Sequence, residues 1–235
     1  MIKKIIFFSL ILSTGHLALA QNEIIHVLDD IRVRQEPFNS YSEFLTYSDI
    51  KGSPYLFSDY RDADIYMKND FHYRGKIRYD MYTDEMEYQI KNKTFWLAPK
   101  ESIVKIILDD KTFLYLTKKK NSNEGGFYEL LTDGPCQLLA KHLVNFREAE
   151  KPKPYQDPKP ARFEPKKDLF YLKKDDQPLF LIQNKKKLID YLQDKRSEIA
   201  TFIKKNHISV SRKKDLKKLV EYYNGLSKWY SVIIP

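Results

Sequence analysis

Two stretches of this chain put basic side chains where helix electrostatics disfavour them. Asn184 precedes Lys185, Lys186 and Lys187, and Ser211 precedes Arg212, Lys213 and Lys214. Asn and Ser are good N-caps, so each stretch reads as a helix opening. The first turn of a helix carries unpaired N–H groups and a partial positive charge. A cation placed there is unfavourable by about 0.3–1 kcal/mol. A bound phosphate or carboxylate would reverse that sign, because it would receive backbone N–H donors and ammonium charge together. These six residues form the candidate anion-binding site. The plainer alternative is a solvated face on which long lysines reach into water. Lys213, Lys214, Lys217 and Lys218 also lie off the apolar stripe of the last predicted helix, on its outward side.

A second candidate is acidic. In the predicted hairpin over 77–90, Asp80 is expected across from Glu87, with Asp84 and Glu85 at the turn. Paired carboxylates can serve as acid and base when one is held protonated, and they can bind Ca²⁺. At an exposed hairpin end the expectation is solvated turn acids. His26, His72, His142 and His207 have no partner at metal-ligand spacing, and H-E-x-x-H is absent. No G-x-S-x-G or glycine-rich phosphate loop occurs, and the three S-x-x-K matches lack their companion elements. Cys136, the single cysteine, sits among apolar residues and reads as a small buried hydrophobe. The tyrosines crowded between Tyr41 and Tyr88 suit cross-strand pairing and, as an alternative, carbohydrate or peptide recognition. No catalytic residue, metal or cofactor is assigned.

The elements that must position these groups follow from hydrophobic period. Residues 21–51 mix helical and alternating spacing and stay ambiguous. From Gly52 to about residue 150, alternating runs separated by polar turns predict antiparallel sheet. One hairpin sets Met81 against Met86, Tyr79 against Tyr88 and Ile77 against Ile90. Another sets Val104, Ile106 and Leu108 against Leu116, Leu114 and Thr112. Asp133-Gly134 predicts a tight turn between Phe127–Leu131 and the run starting at Gln137. Five prolines between Pro152 and Pro165 mark residues 151–167 as an extended linker. In 168–235 a small hairpin, Leu169–Leu172 with Pro178–Ile182, leads into three helical stripes. These are Leu188, Ile189 and Leu192; Ile199, Phe202 and Ile203; and Leu216, Leu219, Val220 and Tyr223. Asn224-Gly225 is the expected stop of the last helix. The fold class is therefore α+β: a curved antiparallel β-sheet followed by a small hairpin and about three C-terminal helices. The helices should dock on the sheet, since alone they would bury little.

The first twenty residues read as a secretory signal peptide. Lys3 and Lys4 precede the apolar stretch Ile5–Leu12, and Ala18 and Ala20 make an A-x-A exit, so cleavage is expected near Ala20. The expectation is an exported chain, periplasmic or secreted, with no transmembrane span after cleavage. Charge is split unevenly. Residues 21–150 carry 18 basic and 22 acidic side chains, whereas residues 151–235 carry 21 basic and 10 acidic, so the chain's +9 comes from its C-terminal third. Such a surface suits polyanions, and export leaves nucleic acid out of reach. An envelope protein or an anionic envelope polymer is the expected partner.

Gly52-Ser53-Pro54-Tyr55-Leu56, the 77–87 hairpin and Phe127–Gly134 resemble a group of uncharacterised exported bacterial proteins. The C-terminal part is similar as well: Tyr171-Leu172-Lys173-Lys174, a lysine run, and Leu219–Leu226. The resemblance implies export and one architecture running across the linker, with no activity or site residue attached. Together these readings predict a non-catalytic binding or structural protein of the cell envelope. A periplasmic hydrolase using carboxylates such as Asp80 and Glu87 is the alternative.

Overall fold

The computed structural model describes residues 46–90, 93–117, 125–150, 159–174 and 177–230. The signal-peptide segment, most of the ambiguous stretch after it, and residues 151–158 of the predicted linker lie outside the described residues. Among the described residues there are twelve strands: β1 Arg61–Met67, β2 His72–Asp80, β3 Glu85–Ile90, β4 Lys93–Trp96, β5 Ile103–Leu108 and β6 Lys111–Leu116. They continue as β7 Gly126–Thr132, β8 Cys136–Lys141, β9 Val144–Arg147, β10 Arg162–Pro165, β11 Leu169–Lys174 and β12 Phe180–Leu181. Three helices follow: α1 Lys185–Tyr191, α2 Arg196–Lys205 and α3 Lys213–Tyr230. Ten strands form one open antiparallel sheet in the order β12-β11-β8-β7-β6-β5-β1-β2-β3-β4, and β9 pairs with β10 separately. The class is α+β, mostly antiparallel, with its helices near the C-terminus.

Two hairpin registers differ from the sequence-based expectation. In β2–β3, Tyr79 pairs with Met86 and Ile77 with Tyr88, a slip of two residues. An even slip keeps every side chain on its face, so Ile77, Tyr79, Met86 and Tyr88 are still buried together. The slip arises because Asp80 ends β2 by accepting the N–H groups of Tyr82 (2.8 Å) and Thr83 (3.2 Å). That capped loop is wider than a Thr83-Asp84 apex. In β5–β6, Ile106 pairs with Phe113 and Leu108 with Lys111, a slip of one. The turn is only Asp109-Asp110, with Asp109 at φ 53° as primed hairpin turns require. An odd slip exchanges faces, so Phe113, and not Leu114, joins Ile106 and Leu108 in the core.

The core has two main parts. Side chains of β1, β2, β3, β5, β6 and β7 form one cluster around Ile106, Phe113, Phe127 and Met86. The three predicted helical stripes form the other against β7, β8 and β11, where Leu188, Leu192, Ile199, Leu216, Leu219 and Val220 meet Cys136, Leu138 and Leu172. The C-terminal hairpin is thus continuous with the main sheet, because β11 pairs with β8. The end of the predicted linker is itself a strand: β10 pairs with β9, and Lys51 adds to its other edge, with Phe163 N–H donating to the Lys51 carbonyl at 2.8 Å.

The last helix does not stop at Asn224-Gly225 but runs on to Tyr230. Asn224 is turned inward. Its amide accepts from Cys136 N–H at 3.0 Å and donates to the carbonyls of Cys136 (2.9 Å) and Asp133 (3.2 Å). The sequence pair that resembles a helix stop is instead a bolt between helix and β7–β8 turn. Gly134, at φ 131°, leaves room for it, since a Cβ there would sit 2.7 Å from the Asn224 Nδ2.

Candidate functional site

The two basic helix openings resolve differently. At α1, Asn184 caps as expected, its Oδ1 accepting Lys187 N–H at 2.9 Å. Lys185, Lys186 and Lys187 are exposed, and the Lys187 ammonium donates to the Gln183 Oε1 at 2.5 Å. At α3 the helix begins at Lys213, one residue later than a Ser211 cap would place it. Ser211 instead shares a hydroxyl hydrogen bond with Ser209 at 3.0 Å. Asp215, in the first turn, supplies the negative charge that the dipole favours. It accepts Ser209 N–H at 2.8 Å and pairs with Arg212 at 2.8 Å.

A surface recess lies where the end of α2 meets the start of α3. Lys213, Lys214, Lys217 and Lys218 line it with Asp215 and Glu221, over Asn206 and the buried Ile208. The spacing i, i+1, i+4, i+5 puts the four ammonium groups on one side of the helix. Lys218 is tied to Asn206 Oδ1 at 2.7 Å and Lys213 to the sheet, while Lys214 and Lys217 have no partner among the described residues. Of the six residues singled out in the sequence, the recess gathers Lys213 and Lys214. Arg212 is turned to Asp215 and to the His207 carbonyl (3.4 Å), and the α1 lysines stay outside. Lys217 and Lys218 complete the group through the helical period of the same stretch.

Behind the recess lies a buried charge cluster that motif searching missed. Glu129, on β7, is buried. Its Oε1 accepts from the ammonium groups of Lys213 (2.9 Å) and Lys111 (3.1 Å), and its Oε2 lies 2.8 Å from His142 Nε2. The other ring nitrogen, Nδ1, lies 2.9 Å from Asp168 Oδ1. Burial by itself would raise the Glu129 carboxyl, but its three cationic donors outweigh that and hold it at about 2. Burial likewise works against a charged His142, yet the two carboxylates prevail and raise its pKa above the ordinary 6.5. The signal available in the sequence is Glu129 itself, a lone charge inside the apolar run Phe127–Leu131.

The acidic pair is not at a solvated hairpin end. Asp80 is 1% exposed and Glu87 5%. Asp80 stands across from Glu85, and Glu87 across from Arg78. Asp80 Oδ2 accepts from Tyr47 OH at 2.9 Å, and Glu87 Oε2 from Arg78 at 2.8 Å. The Arg78 guanidinium is held between the Tyr55 and Tyr60 rings, 3.4 and 4.5 Å from their centroids. Burial raises the Glu87 carboxyl, with Arg78 opposing. The slip of β3 is what separates Asp80 from Glu87. The surrounding bonds satisfy the two carboxyl groups and serve packing.

At the same hairpin tip, Asp84 pairs with Lys141 of β8 at 2.6 Å and accepts Phe127 N–H at 3.3 Å. Burial lowers the Lys141 ammonium, with Asp84 opposing. Cys136 is buried and its thiol is pushed up to about 12 by burial, so it is not a nucleophile at neutral pH. Among the described residues no group of three or more His, Cys, Asp or Glu side chains could hold a metal ion, and no helix is long and apolar enough to cross a membrane. No family model matches the chain, and neither a curated protein nor a solved structure matches it.

Proposed function

We propose that the chain is an exported cell-envelope protein with a binding or structural role, and that its basic C-terminal region binds an anionic envelope polymer or surface. The observation that carries this reading is the recess at the α2–α3 junction, where Lys214 and Lys217 stand without a partner among the described residues. Asp215, the acid nearest the helix start, is already engaged by Arg212 and Ser209. An anion there would meet ammonium charge on a helix-borne surface that is rigidly backed by Leu216, Leu219 and Val220.

The reading takes the main sheet as curved. Tyr79 of β2 packs against Phe127 of β7 with centroids 6.2 Å apart, although three strands separate them in the sheet. In a flat sheet that separation is about 19 Å at 4.8 Å per strand. Export rests on the first twenty residues, and N-terminal sequencing of the mature chain from envelope fractions should begin near Gln21. The hydrolase alternative gains nothing from the burial of Asp80 and Glu87.

The test is salt-dependent retention of the mature protein on immobilised heparin and on vesicles bearing lipopolysaccharide. The Lys214→Gln/Lys217→Gln variant should elute at lower salt than wild type on at least one matrix. Retention on heparin alone identifies a polysaccharide-type ligand, and retention on vesicles alone a lipid-borne phosphate. Equal elution of wild type and variant on both would refute the recess as the site.

A further inference from the structure

After β8 the chain leaves the main sheet, builds the β9–β10 unit, and returns as β11. His142 directly follows β8 and Asp168 directly precedes β11, so the two face each other across the neck of that excursion. The neck is narrow. Leu169 pairs with Lys141 at its base, and Lys166 N–H donates to the Leu143 carbonyl at 3.0 Å.

Each His142 ring nitrogen is within 2.9 Å of a carboxylate oxygen, Nδ1 of Asp168 and Nε2 of Glu129. Ionised carboxylates only accept, so both nitrogens must carry hydrogen, and only the imidazolium has two N–H groups. We propose that His142 and Asp168 form a proton-operated clasp at the neck of the β9–β10 unit, closed while the ring is protonated and released at Asp168 when it is neutral.

The groups around the ring decide which contact gives way. From β7 comes Glu129; from β6, Lys111 acting through Glu129, and the Phe113 ring at 6.2 Å; from α3, Lys213 acting through Glu129; from the neck, Asp168. When the ring loses one proton, one carboxylate faces a lone pair. Glu129 keeps both ammonium groups and is only 6% exposed, so the remaining N–H stays on Nε2 beside it. Asp168 has no second donor among the described residues and its side chain is 31% exposed, so it turns to water. Because the ring's pKa is raised above its ordinary 6.5, the clasp is closed below that pH and opens as pH rises through the folded value. The clasp does not depend on the anion-binding reading.

The experiment is nitrogen-15 NMR of the full mature chain from pH 5 to 10, with amide hydrogen exchange corrected for its intrinsic base catalysis. His142 should titrate above 6.5 and become the Nε2–H tautomer. Opening of the Leu143 and Lys166–Leu169 amides should increase about tenfold for each unit by which the closed Asp168 contact raises the ring's pKa over its value with Asp168 released, while Glu129 and its strand stay protected. In Asp168→Asn the carboxamide can donate to a neutral Nδ1. The ring's pKa should fall and the pH-dependent opening should disappear with the fold intact. In His142→Gln the opening should be present and pH-independent. Neutralisation to the Nδ1–H tautomer, neck exchange that does not follow the His142 titration, or an unmoved pKa in Asp168→Asn would each overturn the clasp.

Discussion

Gly126 and Gly225 should respond to the same substitution with opposite signs. Gly126 opens β7 at φ 115°, and a Cβ there would lie 1.7 Å from Asp84 Oδ2 and 2.7 Å from Lys141 Nζ. An alanine is first strained in that backbone conformation, by about 1–3 kcal/mol. It must also displace the Asp84 carboxylate from an ammonium whose side chain is only 13% exposed. Removing one partner of a buried pair costs about 3–5 kcal/mol. Lys141 keeps its bond to the Phe127 carbonyl at 3.0 Å, so the lower end applies. Gly126→Ala should therefore destabilise by roughly 4–6 kcal/mol, a large part of a domain's total of about 5–15 kcal/mol. Gly225 lies inside α3 with nothing within 4 Å of its Cβ position. Gly225→Ala should stabilise by about 0.5–1 kcal/mol. Urea unfolding at pH 7 measures both. In an Asp84→Gly background the cost of Gly126→Ala should fall to its backbone part of about 1–3 kcal/mol. If Gly126→Ala lies within 1 kcal/mol of wild type, or its cost is unchanged without Asp84, the account of this contact is refuted.

Other outcomes follow from single contacts. Asn224→Ala leaves the buried Cys136 N–H and carbonyl without their side-chain partner, and should cost about 2–4 kcal/mol by urea unfolding. His207 ends α2 at φ 50°, with Ile208 N–H bonded to the Ile203 carbonyl at 3.1 Å. His207→Gly should stabilise by about 0.5–1 kcal/mol, read as a higher urea midpoint at unchanged slope. The Glu129 carboxyl is depressed to about 2, so its contribution to stability is complete above its ordinary 4.5 and lost as pH falls through about 2. His142 is raised, so its contribution is complete below 6.5 and lost as pH rises through the folded value. Stability from this cluster should be greatest between about pH 4.5 and 6.5, and His142→Gln should flatten the alkaline limb of the stability profile.

The helical half was the more legible in sequence. Leu188, Ile199, Leu216 and Val220 recur at helical spacing and are all buried against the sheet. The sheet was legible as pairs of strands but not in register. Side-chain alternation fixes only the face, whereas turn geometry fixes the offset, and the turns here depend on the Asp80 side chain and on Asp109 at positive φ. Asn224-Gly225 misled because a stop signal is local, whereas the partners of Asn224 lie in the β7–β8 turn, 88 residues away. The buried cluster was hidden for a similar reason. Glu129, His142, Asp168 and Lys213 come from four separate stretches of chain, and no spacing rule connects them. The basic helix openings were visible, but only side-chain positions reveal that Arg212 and Lys213 are already ion-paired while Lys214 and Lys217 have no partner among the described residues.

The most direct test of the proposed anion site is amide chemical-shift mapping of the full mature chain during titration with a sulfated oligosaccharide. The reading predicts saturable shifts confined to Asn206, Ile208 and Lys213–Lys218, reversed by salt and lost in Lys214→Gln/Lys217→Gln. Shifts elsewhere, or none with either the oligosaccharide or lipopolysaccharide-bearing vesicles at millimolar anion, would contradict it.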